Sequence, residues 1–162
     1  MAEPLADQVM RRIDQAGENY HRLLVVAALA GGGKTAALRE VSARTGVALL
    51  NVNLDLSRRM LDLTERQRPL QLPRLLGESV EGVKSNVVLL DNIEILFDVS
   101  LKQDPLRLLQ NLSRNKTLVV AWNGSIDRGF LPYATPDHPE YRRYPIRDLF
   151  VVGPQSSEKR TE

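Results

Sequence analysis

Apolar residues near the start of the chain recur at helical spacing, whereas the next apolar stretch is unbroken. The spaced positions predict an amphipathic helix over Pro4 to Ala16 that ends at Gly17. Its apolar side consists of Leu5, Val9, Ile13 and Ala16. The stretch Leu23 to Ala28 has no polar alternation, which is typical of a central parallel strand covered on both faces.

Strand-like and helix-like patterns continue to alternate along the rest of the chain. Further strands are predicted at four short apolar runs: Val47 to Val52, Val87 to Leu90, Thr117 to Trp122 and Asp148 to Val152. Helices are predicted at Thr35 to Val41, in two short pieces between Leu54 and Val83 that are interrupted at Pro69, Pro73 and Gly77, and after the cap Asp104-Pro105. Asp127 to Pro145, with four prolines, is predicted to be a loop.

This alternation predicts an α/β fold in three layers, with a parallel sheet of about five strands and helices on both faces. We expect one domain over residues 1–153 and a polar, disordered tail over residues 154–162. The longest apolar run, Leu23 to Ala30, is too short to cross a bilayer, and the start of the chain does not read as a signal peptide. A soluble cytoplasmic protein without membrane contact is therefore expected.

Composition narrows the chemistry. The chain has no cysteine, which excludes disulfides, thiolate zinc sites and a cysteine nucleophile, and its two histidines make a histidine metal site a poor hypothesis. The net charge of +2 permits contact with nucleic acid but does not indicate it, because the arginines are spread along the chain.

A glycine-rich segment from Ala28 to Thr35 follows the first strand and opens the next helix. It matches the phosphate-binding P-loop pattern except that Ala28 stands at the first glycine position. Lys34 is predicted to reach the β- and γ-phosphates of ATP, and Thr35 to bind Mg²⁺. The predicted nucleotide-binding residues are Ala30, Gly31, Gly32, Gly33, Lys34, Thr35 and Ala36. The alternative is a glycine-rich turn without a ligand, but the strand before it and the helix after it favour phosphate binding.

Two later strands end in polar residues. Asp91 follows an apolar strand and is predicted to hold Mg²⁺ together with Thr35, although an aspartate that caps a turn is the alternative. Asn92 stands next, where hydrolytic ATPases usually carry glutamate, so Glu94 becomes the candidate to activate water unless it lies exposed on a turn. Asn123 is a candidate to orient that water or contact the γ-phosphate, although Asn123-Gly124 is also an ordinary turn signal.

Taken in order, these motifs resemble the nucleotide-binding core of AAA+ ATPases, in which Asn123 matches the first sensor position. The chain after Val152 is too short for the helical lid of that superfamily, so the resemblance implies a core without the lid. More narrowly, the chain resembles the BrxF family of small P-loop proteins from type 3 bacteriophage-exclusion (BREX) systems. That resemblance rests on four segments: 31–35, 91–94, 122–124 and His138-Pro139-Glu140-Tyr141.

The BREX resemblance implies a role in bacterial phage defence and partner proteins within an assembly. The implied partners are a large ATPase, a DNA methyltransferase, a phosphatase-like protein and a helicase-like protein. The AAA+ resemblance implies a homo-oligomer whose nucleotide site is completed by an arginine of a neighbouring subunit. The candidates for that arginine are Arg114, Arg128, Arg142 and Arg143.

Aromatic and basic residues interleave in the late proline-rich segment: Tyr133, Tyr141, Arg142, Arg143 and Tyr144. They could contact DNA or RNA by stacking on bases and pairing with phosphates. The segment could equally be the packing edge of a long loop or a protein-docking site. A second basic group, Arg58, Arg59, Arg66, Arg68 and Arg74, accompanies Leu56, Leu61 and Leu63, which suggest ordinary amphipathic packing.

The leading hypothesis is an ATP-binding, AAA+-like subunit of a phage-defence assembly with weak or partner-stimulated hydrolysis. One alternative is a scaffold or DNA-binding module that binds nucleotide without hydrolysing it. The other is a small-molecule nucleotide kinase, which would need an arginine-bearing lid and an acceptor pocket.

Overall fold

A computed structural model describes residues 3–29, 31–134, 139, 141–146 and 149–153. Five α-helices lie within those ranges: α1 Leu5–Ala16, α2 Lys34–Thr45, α3 Val52–Arg59, α4 Gln67–Glu81 and α5 Pro105–Leu112. Two 3₁₀ turns, Glu94–Phe97 and Val99–Leu101, follow the third strand. The strands are β1 Leu23–Ala28, β2 Leu49–Asn51, β3 Val87–Asp91, β4 Thr117–Asn123, β5 Phe130–Tyr133, β6 Arg142–Pro145 and β7 Phe150–Val152.

Five strands form one parallel sheet in the order β2-β3-β4-β1-β7. Its register aligns the last residues of neighbouring strands, Ala28 with Asn123 and Asn51 with Asp91. The carboxyl ends of β1, β2, β3 and β4 therefore form one edge of the sheet, which we call the carboxyl edge. The predicted α/β fold with a parallel sheet of five strands is confirmed.

Alternate residues of the strands supply two separate cores. Helices α1 and α2 cover one face, where Leu24, Val26 and Val119 are fully buried. Helices α3, α4 and α5 cover the other face, against Val25, Val120 and the largest of these side chains, Trp122. The continuous apolar runs of β1 and β4 follow from this arrangement, because both faces of a central strand are removed from water.

The predicted bounds of β2 and of the helices that follow it were wrong. Strand β2 covers only Leu49–Asn51, and Val52 already begins α3 because the Asn51 side chain accepts a hydrogen bond from the Leu54 N–H and caps the helix. The expected break between Leu54 and Val83 falls between α3 and α4, not at the prolines or Gly77, since α4 runs through all three.

The tolerance of α4 for its prolines has a local cause. Pro69 lies in the first turn, where an N–H has no partner within the helix in any case. Pro73 cannot donate to the Pro69 carbonyl four residues earlier. The Gln103 side chain donates to that carbonyl instead, at 2.9 Å.

The late proline-rich segment was expected to be a loop, and this was wrong for its described residues. Strands β5 and β6 pair antiparallel in a separate two-stranded sheet. Pro132 fits within β5 because a two-stranded ribbon consists only of edge strands. Its carbonyl accepts a hydrogen bond from the Trp122 indole N–H at 2.9 Å, which fixes the ribbon to the core.

The last predicted strand is present as Phe150–Val152, parallel to β1. Asp148 and the predicted tail at residues 154–162 lie outside the described residues. Among the helices of the described ranges, none combines the length and apolar character needed to cross a membrane.

Candidate functional site

The glycine loop, Gly31–Gly33, leaves the carboxyl end of β1 and leads into α2. Gly31 and Gly33 have φ angles of +83° and +87°, which favour glycine. A Cβ atom on Gly32 would lie 2.8 Å from the Ala28 Cβ and 2.9 Å from the Leu29 carbonyl oxygen. Gly32 is thus too crowded for a larger residue, whereas Gly31 and Gly33 are favoured by their backbone conformation, and all three glycines are exposed to solvent.

The first turn of α2 offers free backbone donors at this loop. Gly33 occupies the cap position with no side-chain hydrogen bond to the first N–H groups of the helix. Such groups and the positive end of the helix dipole attract anions. Ala36, a predicted contact, is exposed in this turn, whereas Ala30 lies outside the described residues.

Ala28, which replaces the first glycine of the motif, ends β1 in regular pairing with Asn123. It is not among the described residues with positive φ. Alanine is therefore compatible with this position, because the chain turns after it and not at it.

Lys34 lies folded against the start of the loop. Its Nζ donates to the Ala28 carbonyl at 2.8 Å, the Leu29 carbonyl at 3.1 Å and Asn123 Oδ1 at 3.3 Å. Burial lowers the pKa of Lys34, while the charges of Asp91 and Glu94 act in the opposite direction. An anion bound at the loop would replace weak neutral acceptors with a full opposite charge.

Thr35 and Asp91 are joined directly. The Thr35 hydroxyl donates to Asp91 Oδ2 at 2.7 Å, and Asp91 Oδ1 accepts from the Asn92 N–H at 2.9 Å. Asp91 is only 6% exposed. Because the threonine proton is committed to the carboxylate, the lone pairs of its oxygen remain free to bind a cation.

The oxygens of Thr35 and Asp91 are too few to hold a metal ion by protein groups alone. They suit Mg²⁺, which needs few protein ligands. Within the described residues, no group of three or more His, Cys, Asp or Glu side chains could hold a metal ion. Mg²⁺ is usually bound by one or two protein oxygens, several waters and the phosphates of a substrate. Thr35 and Asp91 would supply the protein share of such a shell.

Asn123 lies between the loop and the acidic strand because β4 separates β1 from β3. Its amide oxygen already accepts from Lys34. Gly124 donates its N–H to the Ala28 carbonyl, and a Cβ there would overlap the Pro132 carbonyl oxygen. The Asn-Gly pair thus makes a turn and also brings an amide side chain to the site.

Glu94 opens the first 3₁₀ turn after β3, and it is half-buried. Its Oε1 accepts from the Asn53 side-chain amide at 3.0 Å. Asn53 Oδ1 in turn accepts from the Ile95 N–H at 2.7 Å. Glu94 thus lies on a turn after the strand, as the alternative had it, but it is half-buried and hydrogen-bonded there and not exposed.

Asn53 is a site residue that the sequence did not single out. Its backbone N–H donates to the Asn92 carbonyl at 2.9 Å, in addition to the two side-chain contacts. The available signal was the polar spacing Asn51-Val52-Asn53 directly after β2. That strand was expected to extend through Val52, which concealed the turn that places Asn53 at the carboxyl edge.

Three of the four candidate arginines contact other residues. Arg142 donates to the Gln103 carbonyl, Arg143 lies 3.9 Å from the centre of the Phe130 ring, and Arg114 lies over Tyr20. Arg128 is exposed with a φ of +52°. No described hydrogen bond or ion pair joins these four to Lys34, Thr35 or Asp91.

The tyrosines of the late segment serve packing in part. Tyr133 is 2% exposed and stacks on Phe97 at 3.5 Å, and Tyr144 packs edge-on against Trp122. Desolvation raises the pKa of Tyr144 above its usual value. The packing interpretation holds for these two rings, whereas His138 and Glu140 lie outside the described residues.

Two arginines of the second basic group form ion pairs with acidic residues. Arg59 pairs with Asp55 at 3.0 Å, and Arg74 pairs with Glu78 at 2.7 Å. Leu56 is fully buried as expected, but Leu61 is 72% exposed, against the packing predicted for it.

Comparison with known proteins adds no assignment: the chain matches no protein-family model, and no curated protein is significantly similar to it in sequence.

Two glycines of α2 provide a matched test of the loop. Gly33 and Gly46 flank the helix with φ of +87° and +76°, and a Cβ on either meets nothing within 4 Å. Each alanine substitution should destabilise the protein by about 1 kcal/mol, because the left-handed conformation is strained for alanine. Only Gly33→Ala should weaken binding of inorganic tripolyphosphate in a calorimetric titration. Equal binding by the two variants would exclude the loop as the phosphate site.

Proposed function

We propose that this chain binds Mg-ATP at the carboxyl edge of its sheet, as a P-loop nucleotide-binding core of the AAA+ type. The observation that carries the proposal is the 2.7 Å contact between Thr35 and Asp91, directly beside Lys34. The contact joins a phosphate-compatible loop to a magnesium-compatible carboxylate. This is the pairing on which P-loop nucleotide sites depend.

Each part has a distinct task in binding. The N–H groups of the glycine loop and of the first turn of α2 would surround the β-phosphate. The Lys34 ammonium would leave the Ala28 and Leu29 carbonyls for the β- and γ-phosphate oxygens. Thr35 and Asp91 would hold the metal, which supplies charge neutralisation between the phosphates when it is bound.

Glu94 and Asn123 are the residues proposed to act on water. The Glu94 carboxylate would accept the proton of the attacking water, and the Asn123 amide would orient that water or the γ-phosphate. The hydrogen bond from Asn53 holds Glu94 on the β2 side of the edge. ATP hydrolysis by the isolated chain should therefore be slow. It should become faster when a partner protein changes the contact between Asn53 and Glu94.

The sequence resemblance extends the proposal to a biological setting. The chain is proposed to act as a nucleotide-dependent subunit of a bacterial phage-defence assembly of the BREX kind. Its partners there would be a large ATPase and a DNA methyltransferase, with self-association as a further contact. The strand β4 between β1 and β3, which brings Asn123 to Lys34, supports the AAA+ part of this resemblance.

The melting temperature should rise when Mg-ATP is added. At 100 times its dissociation constant a ligand stabilises the native state by about 2.7 kcal/mol, and for a chain of this size that corresponds to roughly 5–10 °C. Lys34→Ala should lose the shift because the phosphates lose their charged donor. Lys84→Ala removes the same charge from an exposed position before β3 and should keep the shift. If both variants respond like the wild type, the proposed site is wrong.

Glu94→Gln should separate binding from turnover. The amide keeps the size of the side chain and can still contact Asn53, but it cannot take a proton from water. Steady-state phosphate release should fall at least ten-fold, since positioned general bases contribute about 10²–10⁴-fold, while the Mg-ATP melting shift should persist. If Glu94→Gln hydrolyses ATP as fast as the wild type, Glu94 is not the general base. If the wild type does not hydrolyse ATP, the alternative of a scaffold that binds nucleotide without hydrolysing it is favoured.

The defence setting is checked by phage plating. Cells that carry the complete defence system with Lys34→Ala should lose most of their protection, whereas Lys84→Ala should retain it. Full protection with Lys34→Ala would separate nucleotide binding from any defence role.

A further inference from the structure

A second site candidate lies at the amino edge of the sheet, opposite the carboxyl edge. A cavity of about 460 Å³ opens between the starts of β1 and β7 and helix α5. Its apolar lining comes from Leu23, Val25, Leu149 and Phe150. The polar part of the lining consists of two amides and one imidazole, those of Asn19, Gln110 and His21.

An exposed tyrosine forms one wall of this cavity. Tyr20 is 70% exposed, although its ring contacts two neighbours. His21 meets it edge-on with ring centres 4.8 Å apart, and the Arg114 guanidinium lies 5.0 Å from its centre. An aromatic ring fixed by such contacts while still exposed has lost little of its capacity to stack on a ligand.

Two arginines, Arg22 and Arg114, bring positive charge to this edge. Arg22 donates to the Arg114 carbonyl at 2.6 Å, a neutral acceptor, so the contact fixes the side chain without cancelling its charge. Among the described residues, neither Arg22 nor Arg114 forms an ion pair, unlike Arg59 and Arg74. Guanidinium groups in this state are suited to phosphate groups of a ligand.

We propose that this amino-edge site binds single-stranded nucleic acid, with one base in the cavity and the backbone along Arg22 and Arg114. A base matches an apolar pocket whose rim contains amides, because its ring is apolar on its faces and its edge carries both donors and acceptors. Tyr20 provides the stacking surface for a neighbouring base. Stacking platforms beside basic side chains are the general means of binding single strands.

The amino-edge site is independent of the proposed ATP site. Strand β1 has six residues and separates the two, which places them about 15–20 Å apart at the usual rise of a strand. The site also differs from the late aromatic segment, whose Tyr133 and Tyr144 rings pack inward. The chemistry that the sequence suggested for that segment is thus found among Tyr20, Arg22 and Arg114.

The test is fluorescence anisotropy with labelled single-stranded DNA and RNA 12-mers of identical sequence, in EDTA and without ATP. The wild type should bind at least one strand and prefer it to the corresponding duplex. Tyr20→Ala should weaken binding about ten-fold, in line with the cost of losing one stacked base, while Tyr20→Phe should bind like the wild type. Arg114→Gln should also reduce the salt dependence by about one phosphate contact.

Three controls make the result specific. Arg39→Gln removes an exposed arginine on α2, and Lys34→Ala removes the cation of the glycine loop. Both should bind the strand like the wild type, and Tyr20→Ala should keep the wild-type melting temperature because the ring is exposed. Equal loss in Arg39→Gln, or loss only in Lys34→Ala, would overturn the amino-edge site.

Two further outcomes would also overturn it. Binding of duplex as tight as that of single strands would exclude a base in the cavity. If neither DNA nor RNA binds at low salt, the cavity is not a nucleic-acid site, and a protein segment becomes the better candidate for its ligand. A preference for DNA or RNA would identify the natural strand, and equal binding of the two would support the site without distinguishing them.

Discussion

The hydrogen bond between Thr35 and Asp91 is the contact on which the candidate nucleotide site depends. It connects the first turn of α2, which follows β1, to the end of β3. Strand β4 lies between β1 and β3 in the sheet. Sheet register makes the contact possible, because β1 and β4 end level with each other at Ala28 and Asn123, and β3 ends on the same side of the sheet at Asp91. The buried strands β1 and β4 keep that register, since a slip of one residue would exchange the side chains that fill the two cores and disrupt the packing of both.

The fold and the main residues of the candidate site were predictable because their signals are local. Unbroken apolar runs mark β1, β3 and β4, and parallel strands place their polar terminal residues together. Lys34 and Asn123 are accordingly joined by one hydrogen bond, and Thr35 and Asp91 by another. Gly33 was predictable for the same reason, since it lies between a strand and a helix, where the chain needs the positive φ that glycine allows.

The features that the sequence did not reveal depend on distant partners. Helix α4 passes through Pro73 because Gln103, thirty-four residues after Pro69, takes over a carbonyl of the first turn. The β5–β6 ribbon is held by Trp122 and by packing on Gly124, neither of which marks the ribbon in its own sequence. Asn53 and Arg22 likewise acquire their roles from contacts across elements. Local periodicity contains no information about such pairings.

The most direct measurement of the central claim is a double-mutant cycle of Thr35→Val and Asp91→Asn on the affinity for ATP, with Mg²⁺ and with EDTA. If the two side chains hold one magnesium ion, each substitution should weaken binding in Mg²⁺, and the double variant should be little worse than either single one. The coupling should be on the order of 1 kcal/mol or more in Mg²⁺ and should vanish in EDTA. Additive effects, or the same coupling without magnesium, would contradict a shared metal site.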